Sequence, residues 1–267
     1  MPALLSITQN QNTTRPLADG LLDPLFDLSA VSESLSGSRH PVVLERQPLE
    51  IPKFMLLGAR GGGKPIRISL FGGLDAGRTE SVAAIARLLL QWELQPALAR
   101  DYALFAYPLV NLLGFESGQA PLRQFEARYG AGKSAPDVQF FKEQLRKWFF
   151  DGMITLRIDP RAKGFHATVR SAVLAREVIA PTLDTVGKVV PIADEPVRIR
   201  PADRHARLSD YAQGRLAPPA DIRPYPFEVE LFAPGGAGAE ERIASLFVAV
   251  HEVLRHYRAL ISHAQNI

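Results

Sequence analysis

From Lys53 onward the chain alternates between two spacings of apolar residues. Phe54 to Leu57 is a short apolar run, Gly58 to Lys64 is a glycine-rich turn, and Ile66 to Phe71 alternates with the two-residue period of a strand. These segments read as a hairpin. Between Thr79 and Trp92 the period lengthens, with Val82, Ile85, Ala86, Leu89 and Trp92 at helical spacing. A strand over 102–110 follows, then an irregular loop to about residue 135. The next segment, 137–150, is a helix with Pro136 and Asp137 at its start, where absent partners and the helix dipole favour both residues. Strands over 153–158 and 164–169, a helix over 172–186 and a proline- and arginine-rich loop over 197–226 come next. A strand over 227–232 then leads through Gly235 to Gly238 into a final amphipathic helix over 240–261.

Residues 1–45 are only weakly patterned and read as a lead-in, with one short helix near 25–35, packed on a single domain spanning 46–267. Strands alternating with helices imply an α/β fold: a mixed, largely parallel twisted sheet with helices on both faces. In such sheets ligands gather outside the carboxyl ends of the strands. The turns after Phe71, Val110, Ile158 and Phe232 are therefore where chemistry is expected.

Composition narrows the possibilities. At 267 residues, 46% apolar and 22% charged, the chain is long enough to bury one substantial core. It has no cysteine, which excludes disulfides, thiolate metal sites and cysteine nucleophiles. Met1 to Ile7 lacks a preceding basic residue and makes a poor signal peptide. Arg87 and Glu93 interrupt the longest apolar stretch, so no membrane partner and a cytoplasmic location are expected. Net charge is only +3, and basic residues cluster at Arg198, Arg200, Arg204, Arg207, Arg215 and Arg223. This 198–223 segment lacks the interleaved aromatics of a nucleic-acid surface, which disfavours but does not remove an interaction role.

Two motifs suggest chemistry that their context does not support. Gly58-Ala-Arg-Gly-Gly-Gly63-Lys64 has the spacing of a phosphate loop, but Pro65 replaces the hydroxyl residue and a strand, not a helix, follows. His251 and His256 are five residues apart, which turns their side chains by roughly 140° relative to each other on a helix. Two such imidazoles do not share a metal, and with His263 they read as surface histidines.

Four segments carry a more specific signal. Ile68-Ser-Leu-Phe-Gly-Gly-Leu-Asp75-Ala-Gly-Arg78-Thr-Glu80 precedes the first long helix, and Tyr107-Pro-Leu-Val-Asn111-Leu-Leu-Gly114-Phe115-Glu116 follows a strand. Met153-Ile-Thr-Leu-Arg157-Ile-Asp159 and Phe227-Glu228-Val-Glu230-Leu-Phe-Ala-Pro234 complete the set, the last followed by Glu240-Glu241-Arg242. In order and flanking structure these segments resemble the zinc carboxypeptidase family, with its succinylglutamate desuccinylase and aspartoacylase relatives, over about residues 50–260. The resemblance implies that fold, and it places Asp75, Arg78 and Arg157 at the zinc-ligand positions. Glu230 falls at the catalytic base, with Glu228 on the same strand face. Asn111, Arg123 and Gln124 become candidates for gripping a substrate carboxylate, although the family's asparagine and arginine there are altered in Pro121-Leu122-Arg123-Gln124.

Catalytic zinc needs lone-pair donors, and arginine offers none while staying cationic. The resemblance with these substitutions implies a protein that has lost metal-dependent hydrolysis, holds no cofactor and binds a small carboxylate or peptide end in the cleft. Asp75 and Glu230 would face Arg78 and Arg157, so that guanidinium groups supply the charge a metal would bring. The alternative is an active metallocarboxypeptidase or amidohydrolase with a shifted metal site, zinc at Asp75, Glu80 and His166. A second alternative is an interaction module using the 198–223 segment.

Overall fold

The computed structural model describes residues 17–44, 46–59, 64–117, 136–148, 150–200 and 227–265. Helix α1 (Leu17–Ser29) leads into β1 (Leu35–Leu44) and β2 (Gln47–Leu57). Then come β3 (Ile66–Phe71), α2 (Glu80–Leu94), β4 (Tyr102–Tyr107), α3 (Leu112–Ser117), α4 (Pro136–Trp148), β5 (Gly152–Asp159) and β6 (Phe165–Val169). Helix α5 covers 172–186, with a π-helical stretch at Ala175–Ile179. Strands β7 (Ile192–Ile199) and β8 (Phe227–Pro234) and helix α6 (Ala239–Gln265) follow.

The strands form one mixed sheet in the order β1-β2-β4-β3-β5-β8-β6-β7. Its centre, β4-β3-β5-β8, is parallel throughout. All six residues of β4 and all eight of β8 are buried, as expected of parallel strands covered on both faces. Tyr102 meets Trp92 of α2 and donates to the Leu254 carbonyl of α6 on one face. Phe105 and Tyr107, an odd number of residues along the strand, meet Trp148, Phe140 and Phe141 of α4 on the other. Among the described residues no helix is long and apolar enough to cross a membrane.

The structure departs from the expected element pattern in several places, among them helix α3 at the start of the expected 111–135 loop. Strands β2 and β3 are not a hairpin, because β4 lies between them, antiparallel to β2 and parallel to β3. Alternation marks a strand but not its neighbour, and here the backbone closes the arrangement. Gly58 donates to the Tyr102 carbonyl, Asp101 to the Ala59 carbonyl and Ile66 to the Asp101 carbonyl, so both flanks of the turn bond to the start of β4. The true hairpin is β1–β2, paired from Leu35↔Leu56 to Leu44↔Gln47. Part of the expected lead-in is thus sheet: α1 begins before the predicted short helix, and residues 35–44 form an edge strand. Residues 192–199, expected in part to begin a long loop, form the opposite edge strand β7 beside β6.

Candidate functional site

The parallel strands deliver the motif residues to their carboxyl ends. After β3 the chain turns through Gly73, whose φ of 59° and contact with Pro108 and Leu109 leave no room for a side chain. Gly73 N–H donates to Ser81 Oγ (3.0 Å), and the turn brings Asp75 beside the end of β5. Asp75 accepts from the backbone N–H of Ile158 (2.8 Å) and from Arg157 Nη2 (3.3 Å). Both side chains are mostly enclosed, at 15% and 22% exposed. This contact joins two members of the expected four-residue cluster of Asp75, Glu230, Arg78 and Arg157.

The remainder of the expected four-residue cluster does not form as such. Arg78 reaches Glu80 (3.6 Å) rather than Asp75 or Glu230, and Glu80 is held more closely by Arg242 of α6 (2.5 Å). Arg242 also donates to the carbonyls of Gly235 and Ala237, tying the turn after β8 to the start of α2. The departure has a simple cause. Glu80 lies two residues from Arg78 and within its reach, so the local carboxylate captures it.

Glu230 lies in register between Thr155 of β5 and Thr168 of β6. It is 7% exposed, and Arg200 Nη1 stands 4.0 Å from its carboxylate. Glu228, on the same strand face and also buried, accepts from Arg170 Nε at 2.7 Å. The row across β5, β8 and β6 one step further along is Arg157, Phe232 and His166. The guanidinium of Arg157 sits 5.5 Å from the Phe232 ring centroid, and the His166 ring stacks on Phe232 at 4.6 Å with planes 6° apart. His166 is 3.7 Å from Asp159. Burial holds its pKa below the usual imidazole range, helped by Arg198 and opposed by Asp159, so it is neutral at pH 7.

Asn111 is fully enclosed, donating to the Leu74 carbonyl (3.2 Å) and accepting from Gly114 N–H (3.2 Å). It fastens the β3 and β4 turns to each other, which is a reason for the motif distinct from ligand contact. Arg123, Gln124 and most of the 198–223 segment lie outside the described residues. The shifted set Asp75, Glu80 and His166 is not brought together as ligands. Among the described residues no group of three or more His, Asp or Glu side chains is placed to hold a metal ion.

The sequence reading missed Arg242, Arg170 and Phe232. Phe232 was within its reach, since strand alternation puts it on the face of Glu230 and Glu228. Arg242 and Arg170 needed the sheet order, which sets each beside its carboxylate. Among the described residues, three enclosed polar atoms here have no hydrogen-bond partner: Arg157 Nε, Thr168 Oγ1 and Arg200 Nη1.

No family model and no curated protein matches the chain. Solved structures do match it in fold. A metallo-carboxypeptidase from Burkholderia cenocepacia has a TM-score of 0.67 over 91% of this chain and 68% of that one, at 12% identity. A candidate metallopeptidase from Shewanella denitrificans gives 0.64 over 90% and 88%, at 15% identity. The ectoine utilization protein of Ruegeria pomeroyi, solved with product bound, gives 0.57 over 85% and 68%, at 13% identity. The chain has the zinc carboxypeptidase-like α/β fold of these proteins.

That fold implies zinc, and the residues here do not fit it. Asp75, the one carboxylate among the three residues that the sequence resemblance sets at ligand positions, already accepts from a backbone N–H and a guanidinium. Arg78 and Arg157 have no lone pair to offer and would repel a dication.

Proposed function

We propose that this chain is a non-hydrolytic protein on a carboxypeptidase scaffold, in which guanidinium–carboxylate pairs stand where the scaffold otherwise holds zinc. The Asp75–Arg157 contact carries this reading: it satisfies, within the protein, a carboxylate that a metal would need. The cleft edge takes a small carboxylate or a peptide end. Support for that comes from Arg157 Nε and Arg200 Nη1, enclosed donors that make no hydrogen bond among the described residues, whose desolvation an anionic oxygen would offset.

Metal analysis of protein purified without added metal, together with hydrolysis assays on peptides and N-acyl amino acids, tests the reading. Zinc well below one per chain and no turnover are expected. Stoichiometric zinc that disappears in Asp75→Ala would overturn it.

A further inference from the structure

A second feature lies at the amino ends of the parallel strands. Trp92 of α2, Ala97 and Leu98 of the short 3-10 turn Pro96–Ala99, Tyr102 at the start of β4, and His251, Arg255 and Arg258 of α6 enclose a cavity of about 60 Å³. A water needs roughly 10–15 Å³ on this scale, so there is room for a group of several heavy atoms. The walls divide by chemistry. Trp92, Tyr102, Ala97 and Leu98 give an apolar side, Trp92 and Tyr102 being almost completely buried, and the other side is an imidazole and two guanidiniums. Among the described residues no acidic side chain lines it.

The polar side consists of donors. Trp92 Nε1 donates to His251 Nδ1 at 3.3 Å, so the neutral ring carries its proton on Nε2. Burial favours that neutral form; Glu252 opposes it, and Arg255 and Arg258 reinforce it. Glu252 engages Arg255 through Nε and Nη2, leaving Nη1. Arg258 spends Nη1 on the Arg100 carbonyl at 3.1 Å, leaving Nε and Nη2. An imidazole N–H and two partly used guanidiniums beside an apolar wall suit one ligand class: a carboxylate head with a short apolar tail.

We propose that this cavity is a binding site for a short-chain monocarboxylate, with the tail against Trp92 and Leu98 and the carboxylate on Arg255, Arg258 and His251. It is independent of the cleft and does not rest on the function proposed above.

The chain has two tryptophans, so Trp148→Phe leaves Trp92 as the only indole. Titration of that variant with butyrate is expected to give a saturable change in emission, with affinity on the order of millimolar for so small a ligand. Butylammonium at equal ionic strength should give none. Arg258→Gln should weaken butyrate about tenfold, as for loss of one charged hydrogen bond. Saturation-transfer NMR of butyrate on the unmodified chain reads the same contact if Trp148→Phe does not fold. Equal responses to butyrate and butylammonium, no transfer to butyrate, or undiminished binding by a folded Arg258→Gln would overturn the proposal.

Discussion

At the scale of single residues, the enclosed charges are the most informative feature. That Asp75 and Arg157 lie near each other was legible, because both fall at carboxyl ends of parallel strands, but which arginine Asp75 engages was not. Arg78 was not legible, since the choice between Asp75 and Glu80 depends on side-chain reach. A double-mutant cycle with Asp75→Asn and Arg157→Gln, read by urea unfolding, is expected to give a coupling of about 1–3 kcal/mol; additivity would show that the contact is incidental. Three histidines make a pH prediction. His166, His251 and His256 all have pKa values lowered, by burial first. Near pH 6.5 their unfolded counterparts take up protons that the folded rings refuse, so the unfolded state binds more protons as pH falls. The urea midpoint should therefore be flat above pH 7 and fall as pH is lowered through 6.5, with a shallower slope in His166→Asn. A midpoint constant from pH 7.5 to 5.5 would contradict this.

Elements are held in place by a few close approaches that periodicity does not reveal. A Cβ on Gly58 would lie 1.7 Å from the Ala99 carbonyl oxygen, which explains why a glycine stands where β2 leaves the sheet beside β4. Gly58→Ala should cost about 1–3 kcal/mol through overpacking, measured by thermal unfolding. Gly236→Ala, with nothing within 4 Å of its added Cβ, should be close to neutral. The start of α6 is anchored similarly: Glu241 reaches back to Gly238 N–H (2.8 Å) and Arg242 bridges to Glu80 of α2. Arg242→Ala is expected to speed amide exchange in the first turns of α6 and α2 before the centre of the sheet opens. Uniform exchange across both helices would argue against a local tether. Element type was readable because burial imposes its period on the chain, but the supposed β2–β3 hairpin was not, because nothing in either strand encodes the insertion of β4 between them.

For the whole molecule, the parallel block β4-β3-β5-β8 concentrates four turns at its carboxyl ends and leaves the Trp92–His251 cavity at its amino ends. The proposed absence of a structural or catalytic metal predicts that dialysis against a chelator leaves the melting temperature unchanged; a fall restored by zinc would count against it. The sequence by itself determined the α/β class, most helices and central strands, and the motif order that marks a carboxypeptidase-like scaffold. These are local or sequential properties, written in periodicity, turn residues and spacing. Only the tertiary structure decided which strands are neighbours and which carboxylate each arginine engages. It also set Phe232 between Arg157 and His166 and enclosed a donor-lined cavity between α2 and α6. Those outcomes depend on contacts between segments as far apart as Trp92 and His251, where strand order and side-chain reach select among partners of the same charge or polarity.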